Sequence, residues 1–292
     1  VESDFNNGTY RIEFTQETRP TPGQPDKEPQ VIPVAIGLLD ETGAEVEPTR
    51  VLELTETRQA FQFHGLTARP VPSILRGFSA PVILDHTPSF EDRALLLAHD
   101  TDPFNMWEAG RSLSRETLMA MLTDDTPPAA AYLDALIRGA GNDELDPAFR
   151  AQVLALPSED DIAQGCVDAG LVPDPTRIHA TREALATTIA KAGRSTLETV
   201  YDQMVTDGPY SSDAGPAGKR SLRNSALRFL TLLDGPVRAR AQYDAATNMT
   251  DQLAAFACLL DAGDIEVAAR FHEQWHGDRL VMDKWFMMQV GH

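Results

Sequence analysis

The sequence predicts a β-then-α protein, with a small β-sandwich over residues 1–88 and an α-helical superhelix of helical hairpins over residues 89–292. Two observations predict this order. Apolar residues alternate with period two up to about Pro88, and from Ser89 onwards they recur at helical spacing. A third observation is the length of 292 residues, which is typical of two domains.

The first domain carries short strands that have one buried and one solvent-facing side. Apolar residues flank single polar residues in three places, which is the pattern of a strand that packs one face on a core. Because turn signals separate these strands, we expect an Ig-like β-sandwich, with a closed barrel as the alternative. The alternating apolar positions are Tyr10, Ile12, Phe14, Leu52, Leu54, Phe61 and Phe63.

A longer apolar run, Val31–Leu39, contains Pro33, which cannot donate a hydrogen bond to a neighbouring strand. We therefore expect a strand near the edge of a sheet. Asp40–Gly43 follows it and predicts a hairpin turn with Gly43 at positive φ. The stretch Arg19–Pro29 is rich in proline and is predicted to be a loop.

The second domain starts with Ser89 and Asp92, whose spacing resembles a helix capping box. Apolar stripes predict helices that bury one face, and breaks containing proline or glycine separate them. The stripes are Leu185, Ile189 and Ala192, and then Leu197, Val200, Tyr201 and Met204. The breaks are Pro127–Pro128, Asp146–Pro147, Pro173–Pro175 and Gly235–Pro236.

The last third of the chain predicts helical repeats. Alternate helix starts lie about 30 residues apart, the size of one hairpin in an α-solenoid. Asp207–Gly218 is rich in Gly, Ser and Pro and is predicted to be a mobile surface loop. Because each hairpin needs a neighbour on its apolar face, we expect an artificial end at Gly291–His292 that exposes Trp285–Met288 and either dimerises or forms a crystal contact. The expected starts are Arg220, Pro236, Met249, Asp264 and Arg279.

Composition excludes several function classes. A formal net charge of -19 would repel a phosphate backbone, which disfavours nucleic acids and anionic membrane surfaces as partners. No apolar run reaches the roughly 18 residues that a membrane span needs. Cys166 and Cys258 lie far apart without a CxxC, so we expect buried free thiols. Val1–Asp4 shows no initiator Met and no signal sequence, which favours a segment of a longer cytoplasmic protein.

One segment, His272–His276, matches the metal-binding pattern HExxH. On a helix its two histidines share a face and can bind zinc, with Glu273 beside the metal as general base. Such a site needs a third protein ligand, and only Asp278 and Asp283 are carboxylates in the residues that follow. Asp278 is too near in sequence, and Asp283 reaches the pair only if the chain reverses sharply at Gly277.

We therefore expect a structural role for this helix. His272 and His276 would lie on its partly polar face, while Phe271 and Trp275 supply its apolar face. The remaining patterns are weaker. No GxSxG and no Walker A sequence occurs. The carboxylates of Glu159–Asp161 fit the first turn of a helix, where they complement the helix dipole.

A basic cluster is spaced along one predicted helix. We expect its side chains to form internal salt bridges with the acidic surface, with a partner domain as the alternative contact. The cluster consists of Lys219, Arg220, Arg223 and Arg228.

Several segments identify a family. They are Ile32–Asp40, Arg69–Ser73 with Phe78–Val82, Ser221–Asn224 with Leu227–Leu230, Asn248–Asp251 and Leu280–Phe286. They resemble bacterial aminopeptidase N, the gluzincin alanyl aminopeptidases, and span nearly the whole chain in family order. In that family an N-terminal β domain and a thermolysin-like zinc domain precede a β-sandwich and a helical superhelix.

The resemblance places this chain on the sandwich and the first part of the superhelix. The family's zinc motif and its GxMEN loop, which holds the free amine of the substrate, belong to the preceding domain. The resemblance therefore implies no catalytic residue, no cofactor site and no metal ligand in this chain, and zinc in the full-length parent.

The implied role is structural and gating: the chain encloses the active-site cavity of a zinc-dependent aminopeptidase that removes N-terminal residues from peptides. Its partner would be the catalytic domain of the same polypeptide, and peptides would enter the cavity. Two alternatives are a stand-alone metallopeptidase using His272, Glu273 and His276, and a solenoid scaffold that binds peptides on its concave face.

Overall fold

The computed structural model describes residues 1–290 and contains two compact units, one formed by Val1–Leu113 and one that begins at Ser114. Strands end at Ile74 and the first α-helix begins at Phe90, so the predicted order of β before α is confirmed. The predicted domain boundary between residues 88 and 89 stays a prediction.

Two three-stranded antiparallel sheets form the β region. The first sheet has the order β1-β2-β5 and the second has the order β4-β3-β6, so the architecture is the predicted sandwich and not a closed barrel. The strands are β1 Glu2–Asn6, β2 Thr9–Thr15, β3 Ile32–Leu39, β4 Glu45–Leu54, β5 Arg58–His64 and β6 Val71–Ile74.

The sandwich core lies between the inward faces of the two sheets. Alternate residues of β2 and β3 are almost completely buried there, as period-two alternation predicts. Leu52, Leu54 and Phe63 join them from β4 and β5, whereas Phe61 is only partly buried. The buried residues of β2 and β3 are Tyr10, Ile12, Phe14, Val34, Ile36 and Leu38.

The prediction that Val31–Leu39 forms an edge strand is wrong, because β3 is the central strand of its sheet. Pro33 is tolerated since β6 pairs only with the second half of β3, from Ile36 to Leu39. On that side, the Ala35 N–H donates to Ser79 Oγ at 3.0 Å instead of to a strand. Pro33 therefore interrupts no ladder with β6.

The connections follow the sequence prediction. In the hairpin turn after β3, Gly43 has φ of 84° and the Asp40 N–H donates to the Ala44 carbonyl at 2.9 Å. The hydroxyl and N–H of Thr42 donate to the Asp40 carboxylate, which lowers the pKa of that carboxyl. Arg19–Pro29 forms no named strand.

A buried arginine joins the second sheet to the first helix. Arg76 follows β6 in a short 3₁₀ helix, and its side chain is 3% exposed. Its Nε donates to Ser73 Oγ at 2.9 Å and its guanidinium pairs with Asp100 at 3.0 Å and with Glu45. The guanidinium lies directly against the backbone of Gly37, where a Cβ atom would overlap it.

Twelve α-helices complete the part of the chain that the structure describes. The first six helices are α1 Phe90–His99, α2 Pro103–Asp124, α3 Ala130–Gly141, α4 Pro147–Val153, α5 Glu159–Asp168 and α6 Pro175–Ala192. The others are α7 Arg194–Gln203, α8 Ala214–Asp234, α9 Val237–Ala245, α10 Met249–Asp261, α11 Glu266–Trp275 and α12 Arg279–Val290.

Local sequence explains where several helices begin. Ser89 Oγ accepts the Asp92 N–H at 3.0 Å, which is one half of the predicted capping box. Asp146 and Asp174 cap α4 and α6, each followed by proline in the first turn. Ser158 and Asp161 form a full capping box at α5, so the carboxylates of Glu159–Asp161 occupy a first turn as predicted.

Two predictions about the helices are wrong. The supposed loop Asp207–Gly218 is helical from Ala214, because Pro216 lies in the first turn, where a missing N–H costs nothing. Gly218 lets α8 approach α4, since a Cβ atom there would lie 3.0 Å from the Ala148 nitrogen. The second wrong prediction concerns the apolar stripe Leu185, Ile189 and Ala192, which is expected to be buried. Ala192 is exposed.

The last five helices begin close to the predicted starts, except that α8 begins before Arg220. At α12, Phe286 and Met287 are 61% and 62% exposed, whereas Trp285 and Met288 are half-buried. The expected artificial end at Gly291–His292 lies outside the described residues, and dimerisation through it stays a prediction. Among residues 1–290, the helices are all too short or too polar to cross a membrane.

We predict that Gly37→Ala destabilises the chain by about 3 kcal/mol, because the new methyl group displaces the buried Arg76 from its ion pairs. Gly215→Ala, which faces open space in α8, is the matched control and should change stability by less than about 1 kcal/mol. The measurement is the free energy of unfolding in urea. Equal stability of the two variants would contradict this role of Arg76.

We also predict that both thiols are unreactive in the folded chain, since Cys166 and Cys258 are buried and burial raises the pKa of Cys258 to about 11. The unfolded thiol ionises near pH 8.5. The contribution of the neutral Cys258 thiol to the free energy of unfolding is therefore fully present below about pH 8.5, and it is lost as the pH rises towards 11.

The measurement is thiol labelling at pH 8 with a chromogenic disulfide reagent, before and after addition of urea. We expect labelling of both cysteines only after unfolding. Labelling of the native chain at the rate of free cysteine would show that the thiols are accessible.

Candidate functional site

The HExxH segment lies at the end of α11. The rings of His272 and His276 stack with centroids 6.0 Å apart, and both side chains are exposed. Phe271 is fully buried and Trp275 is half-buried, so the two faces of this helix are arranged as predicted. His276 is the residue that ends the helix, and its Nδ1 is 2.9 Å from the Glu273 carbonyl oxygen.

The groups around the two imidazoles do not complete a zinc shell. Asp278 Oδ1 accepts the N–H groups of Leu280 and Val281, so this carboxylate caps α12. An indole, from Trp285, packs 5.1 Å from His272 and donates its N–H to the Ala268 carbonyl at 2.8 Å. Within residues 1–290, no group of three or more His, Cys, Asp or Glu side chains is placed to hold a metal ion.

A buried amide network connects two of the segments that carry the family resemblance. Asn224 donates to Asp251 Oδ1 at 3.0 Å, and Gln242 donates to Asn224 Oδ1 at 2.8 Å. Asn248 donates to Asp251 Oδ2 at 2.9 Å while it caps α10. Hydrogen bonds thus satisfy a carboxylate that is 7% exposed, and they join α8, α9 and α10.

The basic cluster on α8 does not form the expected set of salt bridges. Within the described part of the chain, Arg228 is the one member of the cluster that forms an ion pair, with Glu183 at 3.5 Å. Arg220 stacks 4.6 Å from the Tyr210 ring, and Arg223 stacks 4.3 Å from the Tyr201 ring. Cation–π contacts therefore replace two of the predicted ion pairs.

The first unit contains a cleft of about 180 Å³ that no sequence pattern predicted. Its apolar wall includes Ile74 of β6 and Leu96 of α1. Its polar groups come from the segment before α1, from α1 and from α2. These groups are His86, Arg93, Asn105, Glu108 and Ser112. Because four separate segments contribute to it, only the folded chain brings these residues together.

Two residues of the cleft have unusual surroundings. Burial is the main cause that lowers the pKa of His86, so its imidazole is neutral at neutral pH. Its Nε2 atom is buried without a hydrogen-bond partner among the described residues. Arg93 is 8% exposed, and it donates to Ser112 Oγ at 2.8 Å and to the Ser89 carbonyl at 3.4 Å.

Comparison with known proteins gives two matching family models. Residues 1–87 match the model described as "Domain of unknown function (DUF3458) Ig-like fold", and residues 90–292 match "Domain of unknown function (DUF3458_C) ARM repeats". The sandwich and the helical repeats described above agree with these two descriptions.

Curated relatives carry the name aminopeptidase N. The protein from Caulobacter vibrioides is 38% identical over 263 residues, which are 87% of this chain and 30% of that protein. The Escherichia coli (strain K12) protein is 32% identical over 315 residues, which are 99% of this chain and 35% of that protein. The chain thus spans about a third of the length of these relatives.

A solved structure supports the fold. Legionella pneumophila aminopeptidase A, in complex with aspartic acid, superposes with a TM-score of 0.77 at 22% sequence identity. The match covers 99% of this chain and 35% of the other. The second family model matches well over half of the residues of this chain. The chain therefore belongs to the DUF3458 family, whose Ig-like and ARM-repeat domains form part of aminopeptidase N proteins.

Proposed function

We propose that this chain is the non-catalytic C-terminal part of a zinc-dependent aminopeptidase N, which removes N-terminal residues from peptides. In this role it encloses the active-site cavity and carries neither the catalytic zinc nor a catalytic residue. One observation supports the proposal above all others. Nearly the whole chain aligns with aminopeptidase N proteins, but it accounts for only 30% and 35% of their lengths.

The chemistry of the HExxH segment also supports the proposal. A zinc peptidase site needs three protein ligands and an open position for water. Here the Trp285 ring packs against the His272 ring, and the Asp278 carboxylate is engaged in capping α12. The residues present therefore do not fit a catalytic zinc ion, and we assign the metal to the part of the parent that this chain does not include.

Enclosure would follow from shape. Stacked helical hairpins form a curved wall, and their stability comes from neighbouring repeats that bury apolar faces. Such a wall, placed over a catalytic domain of the same polypeptide, would admit short or unfolded peptides and exclude folded proteins. The sandwich would act as the spacer that sets the position of the wall.

We place the parent in the cytoplasm, with peptides reaching its cavity and with neither nucleic acid nor membrane as a partner. The formal net charge of -19 on this chain supports the absence of nucleic-acid and membrane partners, because it opposes binding to anionic polymers and surfaces.

The test is an assay of the purified chain on alanyl and arginyl amides, together with measurement of bound zinc. We expect no hydrolysis above the blank and far less than one zinc per chain, with or without added zinc. A full-length aminopeptidase N, such as the Caulobacter vibrioides relative, serves as the active control.

The competing metallopeptidase hypothesis makes the opposite prediction. Stoichiometric zinc and chelator-sensitive hydrolysis that Glu273→Gln abolishes would disprove our proposal. The scaffold hypothesis differs in its ligand: tight binding of unfolded foreign peptides to the chain alone, with no affinity for the catalytic region of an aminopeptidase N, would favour it.

A further inference from the structure

We propose that the cleft of the first unit binds a free α-amino acid with an aliphatic side chain, in its zwitterionic form. The cleft is bounded by β6, the segment before α1, α1 and the first half of α2. A cationic side chain, Arg93, and an anionic side chain, Glu108, line this cleft together with apolar side chains.

A cationic and an anionic side chain line the cleft together. Glu108 and Ser112 lie four residues apart on α2, about 6 Å along the helix axis, and both line the cleft. The Arg93 guanidinium is held at Ser112 Oγ by a 2.8 Å hydrogen bond. The cleft therefore holds a cation, Arg93 of α1, and a carboxylate, Glu108 of α2, on either side of Ser112 in this network of lining residues.

An α-amino acid matches this arrangement at both ends. Its carboxylate would accept hydrogen bonds from Arg93 and Ser112, while its ammonium would donate to Glu108. Charge-assisted hydrogen bonds of this kind are stronger than those between neutral groups. Glu108 has an exposed carboxylate with no ion pair or hydrogen bond within the described part of the chain, so it is available to the ligand.

The remaining surface selects the side chain. Ile74, Leu96 and Ala109 form an apolar floor, and they would contact an aliphatic group. The volume of about 180 Å³ slightly exceeds that of a 150 Å³ cavity that binds benzene, so the cleft has room for one amino acid side chain. The buried Nε2 of His86 supplies a further polar partner that the protein itself leaves unsatisfied.

The test compares L-leucine with two analogues by isothermal titration and saturation-transfer NMR at pH 7. N-acetyl-L-leucine lacks the ammonium group, and L-leucinamide lacks the carboxylate. We expect leucine to bind with a dissociation constant on the order of 1 mM, and each analogue to bind about tenfold more weakly or worse. Equal affinity for the three compounds, or no detectable binding of leucine, would overturn the proposal.

Variants locate the binding. Glu108→Gln removes an exposed charge and should weaken leucine binding about tenfold, while the affinity for N-acetyl-leucine stays unchanged. Glu91→Gln, at an exposed position of α1 outside the cleft, is the matched control and should bind leucine like the unmodified chain. An equal loss in both variants, or unchanged selectivity in Glu108→Gln, would contradict the assignment of Glu108.

A second variant blocks the floor of the cleft. Ala109→Leu adds bulk beside Leu96 and should abolish binding of all three compounds, with circular dichroism to verify that the fold is kept. Binding that persists in a folded Ala109→Leu chain would place the ligand elsewhere and overturn the proposal.

The link to peptide degradation rests on the proposed function, because free amino acids are the products that an aminopeptidase releases. The binding measurement does not need that link. A failure of leucine to bind would leave the activity assay of the parent unaffected, and hydrolysis by the chain itself would not alter the outcome of the titration.

Discussion

The buried guanidinium of Arg76 is the interaction on which the first unit depends. It joins β6, the start of β4 and the end of α1 through Ser73, Glu45 and Asp100. Burying a charge is costly unless it is paired and hydrogen-bonded, so these partners must all be in place at once. Gly37 on the central strand provides the space that the guanidinium occupies.

This requirement also explains the cleft beside it. Asn105 of α2 donates to Ser73 Oγ at 2.7 Å and to the Ile74 carbonyl at 3.0 Å, so hydrogen bonds connect α2 to β6, the strand that precedes Arg76. The same attachment places Glu108 and Ser112, further along α2, opposite α1. A polar cluster needed for folding thus positions the residues to which we assign ligand binding.

The HExxH segment shows why a chemical pattern needs its surroundings. The spacing of His272 and His276 on a helix is the spacing of a zinc pair, and the sequence alone supplies it. Whether a third ligand is available depends on which side chain of the following helix lies next to the histidines. In this structure that side chain is Trp285 of α12. Similarly, the amides around Asp251 make a buried carboxylate a structural group, although the segment resembles an enzyme family.

Hydrophobic periodicity and capping residues act locally, so they were enough to predict the order of β and α structure and most helix starts. The family was indicated separately, by the resemblance of several short segments. The sequence by itself did not determine that β3 is central, since strand order depends on pairing with residues far along the chain. The predicted start of α8 lies too far along the chain. The reason is that the need for Gly218 becomes apparent only where α8 packs closely against α4. The cleft could not be predicted either, as its polar groups come from separate segments that only tertiary packing brings together.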